Sequence, residues 1–379
     1  MNDPSPAPDP TATDRRMSPR RVVIQLVGYA AGIALLIWCV SRALSPENRE
    51  QLTRLADASP LSIALLCGLS VLSIVLNGLI FWTAVRPVQR VPLGSVLATN
   101  AIATALNYVP FKLSMLSRIL IHNRRDRVPL LTIGGWLGTV VIILAATLGP
   151  MVAISLHRPT IDGIWLALVS GAMVLAAGTV ILGARLGLTS PVRRLSRSLT
   201  MRTALGRRFL SSSMEPHILD GLRMMSSPVA VGAGVGLRLA DVVTQSARFV
   251  VAAGILGITL QFDKAFLLAA TYFGIGIVSP FGMLGTREAG AAGLADALSI
   301  PNAGAIAAVV LLVSATEALV TIILATAGAI YLRPMRLMVK EVARIASEEA
   351  VQTPPSEPAP APLPSADAPG SGTTQSDHR

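Results

Sequence analysis

The sequence predicts an all-α fold: a polytopic integral membrane bundle of about six full spans and two re-entrant helical hairpins that face opposite ways. Three observations predict it. Of the 379 residues 52% are hydrophobic and only 14% charged, against roughly 25% charged in ordinary soluble domains, and the mean hydropathy is +0.61. The apolar residues gather in runs near or above the ~20 that cross a bilayer as helix. Two further apolar runs are interrupted midway by proline and glycine, which inside lipid calls for a turn between two short helices.

Residues 1–20 read as a disordered lead, rich in Pro, Asp and Ala over 1–14, and Arg15, Arg16, Arg20 and Arg21 stand immediately before the first apolar run. The apolar run at 22–41 is expected to be a retained first span, because it is long, lacks a convincing small-x-small cleavage site and is followed by further spans. A membrane domain over 21–335 then holds full spans at about 22–41, 60–85, 129–155, 162–184, 228–258 and 302–331. The interrupted stretches are 93–121, broken at Asn107-Tyr108-Val109-Pro110-Phe111-Lys112, and 265–300, broken at Ser279-Pro280-Phe281-Gly282-Met283-Leu284-Gly285. From 346 to 379 the chain is rich in Pro, Ala and Ser and is expected to be a disordered tail.

The net charge of +11 comes from 29 arginines and 3 lysines. In a soluble protein it would point to nucleic acid, but here the basic residues lie at helix ends and no nucleic-acid partner is expected. With both hairpins leaving on the side they entered, one set of connections carries 21 Lys or Arg and the other only Arg49, Arg54, Arg158 and Lys264. The positive-inside rule then places both termini and the basic segment 185–223 in the cytoplasm, with the protein in the cytoplasmic (inner) membrane. Treating 93–121 as one span would put the eight arginines of 185–223 outside. That segment is read first as a topology determinant and second as a contact for anionic lipid.

The two hairpin tips share a pattern. Each carries Pro-Phe (Pro110-Phe111, Pro280-Phe281), then Met-Leu (Met115-Leu116, Met283-Leu284), then an arginine, Arg118 or Arg287. Paired Pro- or Gly-interrupted segments of opposite orientation mark an inverted repeat with a site near the midplane.

Ionisable side chains in lipid are costly and need a reason. Arg238, Asp241, Gln245 and Arg248 fall at i, i+3, i+7 and i+10, on one helix face. They read as a polar wall with two cations for an anion and Asp241 balancing Arg238, or else as a structural ion-pair ladder. Glu317 lies mid-span with Ser314 and Thr321 on its face and needs a partner from another element, Arg248 or Arg287; the alternative is a protonated carboxyl. Arg287 and Glu288 open a returning half-helix, where backbone N–H groups and a guanidinium together suit a phosphate; the alternative is a fold-locking pair without ligand. Lys112 and Arg118 repeat this chemistry in the first hairpin, unless Arg118 only anchors to headgroups. No metal site is expected, since His122, His157, His217 and His378 are scattered, and Cys39 and Cys67 lie singly inside apolar runs. The chain has no Gly-x-x-x-x-Gly-Lys-Ser/Thr phosphate loop and no Ser/His/Asp set, so neither a cofactor nor a catalytic activity is expected.

These residues resemble the membrane domain of the lysylphosphatidylglycerol synthase family, the flippase-like portion of multiple peptide resistance factors, over about residues 20–335. The resemblance rests on Pro110, Lys112 and Arg118 in one motif and on Pro280, Gly282, Gly285, Arg287 and Glu288 in the other. In the family the first motif commonly has Gly followed by an acidic residue where this chain has Ser114 and Met115. The resemblance implies movement of an anionic lipid or lipid-linked phosphate headgroup between leaflets. In fused members a cytosolic aminoacyl transferase makes that lipid, and none fits in the 48 residues after 331. Two other readings stand beside translocation: a membrane subunit or enzyme of glycolipid or polyprenyl-linked envelope assembly, and a non-transporting scaffold that recruits a membrane synthase partner.

Overall fold

The structure, a computed structural model, describes residues 19–109, 113–158, 160–191, 215–278, 285–297 and 303–333. Pro110, Phe111, Lys112, the 279–284 tip, most of the basic segment, the lead and the tail lie outside the described residues. Among the described residues the fold is all helical. The elements are α1 (Pro19–Ala43), α2 (Arg49–Ala56), α3 (Pro60–Val85), α4 (Leu93–Leu106), α5 (Leu113–Arg124), α6 (Leu130–His157) and α7 (Gly163–Leu188). They continue as α8 (Glu215–Ser226), α9 (Pro228–Ile255), α10 (Phe262–Val278), α11 (Thr286–Ala297) and α12 (Ala303–Leu332).

Five helices, α1, α3, α6, α7 and α12, are long and apolar enough to cross a membrane. A sixth span is reached by joining α8 and α9, which meet at a 68° bend. At 28 residues α9 is by itself about 42 Å long, more than the ~30 Å hydrocarbon core. Its charged face is what sets it apart from the other five. The segment 185–223, read from sequence as a loop, is in part helix: α7 runs on to Leu188 and α8 packs against α6 and α7. Sequence also missed α2, a short helix in the connection after α1.

Local chemistry sets several starts. Ser59 and Ser227 each precede a proline at the first helical position, and each side chain accepts a backbone N–H, from Ser62 and Ala230. Serine satisfies a free donor there and proline needs none. Asp162 caps α7 by accepting from Trp165 N at 2.8 Å and also pairs with Arg158. That guanidinium, with the cap bond, holds the Asp162 carboxyl well below the usual carboxylate range. The cap therefore persists above the ordinary aspartate pKa and is lost only as pH falls through the depressed value.

The hairpins are visible as antiparallel pairs. In the first, Ser95 of α4 donates to the Asp126 carboxylate just after α5, at 2.9 and 3.0 Å, and Arg118 of α5 donates to Asn100 of α4 at 2.6 Å. Its open end lies at the C-terminal end of α12, where Gly94 faces the Tyr331 hydroxyl and Gly328 faces the Ala98 carbonyl. In the second, Ile275 of α10 lies against Gly290 of α11. Its open end lies at the other end of α12, since α11 ends only a few residues before α12 begins. Asp296 of α11 pairs there with Arg42 of α1.

The two hairpins thus open at opposite ends of one long helix. The packing is also near-symmetric: α3 and α9 lie against each other, and each touches both α6 and α12. Each is followed in sequence by its own hairpin.

The second hairpin restarts where Gly285 has φ +77°. A Cβ at this position would run into the Gly32 carbonyl of α1, and the left-handed conformation costs an L side chain about 1–2 kcal/mol. Gly285→Ala is expected to lower the yield of monodisperse protein several-fold in size-exclusion chromatography. An unchanged yield would show that α1 and this turn part freely.

Candidate functional site

The charged face of α9 is packed into the protein rather than open, while Val243 on the other side is 44% exposed. Arg238 donates to Asp241 at 2.7 Å and sits over the Phe273 ring at 4.8 Å. Asp241 also accepts from Ser73 of α3 at 2.6 Å, and Ser73 accepts from the Gln245 amide at 2.8 Å. Arg248 donates to Gln245, to the Val313 carbonyl at 3.0 Å and to Glu317 Oε2 at 3.0 Å. The spacing that brings these four residues to one face therefore delivers a continuous string of hydrogen bonds toward α12.

The string continues into the second hairpin. Glu317 is midway along α12 and its other oxygen, Oε1, accepts from Arg287 Nη1 at 2.8 Å. Arg287 Nε donates to Glu288 at 2.9 Å, and Nη2 donates to the Tyr108 hydroxyl at 2.9 Å and to Ser314 Oγ at 3.3 Å. Ser314 in turn donates to Glu288 Oε1 at 2.6 Å. The Arg287 guanidinium lies over the rings of Tyr272, at 4.4 Å, and Tyr108, at 5.1 Å. Tyr108 follows α4 at the tip of the first hairpin and Arg287 begins the second. Residues that flank the two breaks, Tyr108 and Arg287, therefore meet at one hydrogen bond beside a mid-helix carboxylate.

The charges balance. Arg238, Arg248 and Arg287 are each at most 2% exposed, and Asp241 and Glu288 are fully buried. A guanidinium stays protonated in proteins, and an unpaired buried charge is strongly destabilising. Three guanidiniums and the three carboxylates Asp241, Glu288 and Glu317 make a formally neutral set. Sequence alone required a partner for Glu317 and named Arg248 or Arg287; it has both.

Arg118 stands apart. It is 8% exposed, donates to Asn100 and stacks on Phe81 at 4.0 Å, and among the described residues no carboxylate lies within ion-pair distance. Lys112, its companion in the sequence reading, lies outside the described residues. At the base of the same hairpin the Asp126 carboxylate accepts from Ser95 and bonds His122 Nδ1 at 2.6 Å. Among the described residues no three or more His, Cys, Asp or Glu side chains gather as metal ligands.

A family model described as the lysylphosphatidylglycerol synthase TM region matches residues 15–338. The chain belongs to that family. It is accordingly a multi-pass membrane protein, and the family is that of the synthase's membrane region rather than of its catalytic domain. No curated protein and no solved structure matches the chain.

Within this member of the family, sequence reasoning missed Tyr108, Tyr272 and Ser73. Tyr108 left a signal: the chain has only four tyrosines, and one of them falls inside the break of the first hairpin. Ser73 left none, since its role depends on which face of α3 meets α9.

Proposed function

We propose that the protein moves an anionic lipid or lipid-linked headgroup between the leaflets of the cytoplasmic membrane, in the manner of a flippase or scramblase. The observation that carries this reading is the Tyr108–Arg287–Glu317 junction, where hairpins opening at opposite ends of α12 meet through residues that flank their breaks. A headgroup phosphate accepting from Arg287 or Arg248 takes the place of Glu317, so the empty site is held neutral by its own carboxylates. Substitution of one anion for another at a guanidinium avoids exposing an unpaired charge to lipid. Arg238 and Asp241 extend the polar face along α9, Glu288 orients Arg287, and Arg118 with Lys112 supplies positive charge on the cytoplasmic hairpin.

The reading is tested in reconstituted vesicles with a fluorescent anionic phospholipid and a membrane-impermeant quencher. Protein-containing vesicles should lose more than the outer-leaflet share of signal, and protein-free vesicles should lose only that share. Equal loss in both would end the translocase reading and favour a scaffold.

The orientation has its own test. With both termini and 185–223 cytoplasmic, single cysteines at Arg158 and Gln261 should react with an impermeant thiol reagent in intact cells, and one at Arg197 should not. Labelling of Arg197→Cys from outside would overturn the orientation.

A further inference from the structure

The base of the first hairpin holds a buried ionisable pair outside the Arg287 cluster. His122, in the last turn of α5, and Asp126, just after it, meet at 2.6 Å through Nδ1 and Oδ2, with side chains 2% and 5% exposed. The carboxylate also accepts from Ser95 of α4, and the imidazole lies against the Trp136 ring of α6 at 4.7 Å. The pair therefore joins both arms of the hairpin to the next span. Between α5 and that span Arg127 has φ +55°, a conformation that L side chains avoid and that persists only where the surroundings impose it. Here the Gln89 amide donates to the Asp126 carbonyl at 3.0 Å, the Asn123 amide to the Val128 carbonyl at 2.9 Å and the Val128 N–H to the His122 carbonyl at 3.1 Å.

Charge makes this clasp sensitive to a single proton. Arg118 precedes His122 by four residues and shares its helix face; its Nη1 is buried without a hydrogen-bond partner among the described residues. Of the helices packed around the pair, α4 has no ionisable side chain, α3 only Cys67 and α6 only His157 at its far end. Arg86 lies over Trp82 and Arg125 over Tyr331, His217 and Asp220 of α8 are engaged with Thr132, and Arg90, Arg124 and Arg127 are exposed. With His122 neutral, the buried face carries one cation and one carboxylate. With His122 protonated, two cations share Asp126, and buried charge without a counter-charge is costly. Burial pushes the His122 imidazole below its usual value; the Asp126 carboxylate opposes that and the Arg118 cation adds to it. A proton also needs no cavity to receive it.

We propose that His122 is a proton-binding site that controls the first hairpin: neutral, it clasps the base through Asp126, and protonated, it loosens the base. The clasp is therefore complete above the ordinary imidazole value and is lost as pH falls through it. Its reach extends to the other hairpin. The element it holds carries Tyr108, whose hydroxyl meets Arg287 at 2.9 Å, so a base that opens with acid also frees that contact. The inference stands apart from translocation, because the proton acts on the hairpin whatever the protein carries.

The test is amide hydrogen exchange of the purified full-length protein at about pH 7.5 and about pH 5.5, either side of the ordinary imidazole value, with rates corrected for intrinsic chemistry. Amides of α5 and the 125–128 turn should exchange roughly three- to ten-fold faster at the lower pH, while those of α3 and α12 keep their protection. His122→Gln should fold, since its amide can donate to Asp126 in place of the imidazole N–H, and should make the exchange of α5 independent of pH. Arg118→Gln strands no carboxylate and should fold too; with the opposing cation gone, the response to acid should shrink. Wild-type exchange that ignores pH overturns the site, as does loosening spread equally over α3 and α12. A response that survives in His122→Gln overturns it as well. If His122→Gln yields no folded protein, Arg118→Gln decides, and an undiminished response there overturns the site.

Discussion

Glu317→Gln is expected to remove most of the folded protein. Glu317 is the shared partner of two buried guanidiniums, Arg248 at 3.0 Å and Arg287 at 2.8 Å. The amide retains the shape but not the charge, so two cations are left facing the single carboxylate Glu288. Breaking a buried pair typically costs about 3–5 kcal/mol, a large share of the ~5–15 kcal/mol that holds a typical domain together. The measurement is the monodisperse fraction after detergent extraction, with the thermal midpoint of what survives. Glu317→Gln combined with Arg248→Gln restores neutrality and should recover most of the yield. Failure of the double variant to recover, or a normal yield in the single one, would show that charge balance is not what holds α9, α11 and α12 together.

Much of this was legible in the chain because lipid makes the rules strict. Apolar length fixed α3, α6, α7 and α12 nearly to their ends, and proline, joined by glycine in the second case, marked where α4 gives way to α5 and α10 to α11. The face shared by Arg238, Asp241, Gln245 and Arg248 follows from helical period alone, and so does the need of Glu317 for an outside partner. What periodicity cannot give is which helix that face meets. Asp241 takes its second bond from Ser73 on α3, a residue indistinguishable in sequence from the other serines of its span. Nor does spacing tell an open polar wall from a packed one. Whether guanidiniums face water or carboxylates depends on a tertiary arrangement that brings Glu317 and Glu288 to the same place, and here they close the string. The helix α8 was hidden for another reason: it lies in a connection whose arginines dominate the composition.

Arg287 separates scaffold from site, because its geometry makes charge and shape independently testable. Nε, Nη1 and Nη2 serve different partners, Glu288, Glu317 and the Tyr108–Ser314 pair. A lysine ammonium keeps the charge but is a compact point donor and cannot span them. Arg287→Lys is therefore expected to fold with reduced yield and to transport at least ten-fold more slowly in reconstituted vesicles at matched protein. Arg287→Gln strands Glu317 and Glu288 with only Arg248 between them and should lower folded yield on the scale of a broken buried pair, about 3–5 kcal/mol. Arg287→Gln with Glu317→Gln leaves Arg248 and Glu288 as the remaining charges, a neutral set, and should return the yield toward wild type. Transport by that double variant is the deciding number. If Arg287 meets the headgroup phosphate, the restored protein stays inactive, since neither amide replaces a bidentate cation. If the double variant moves lipid normally, the guanidinium serves only to join the two hairpins, and the anion site must lie elsewhere, with Arg118 on the first hairpin as the remaining buried cation without a carboxylate among the described residues.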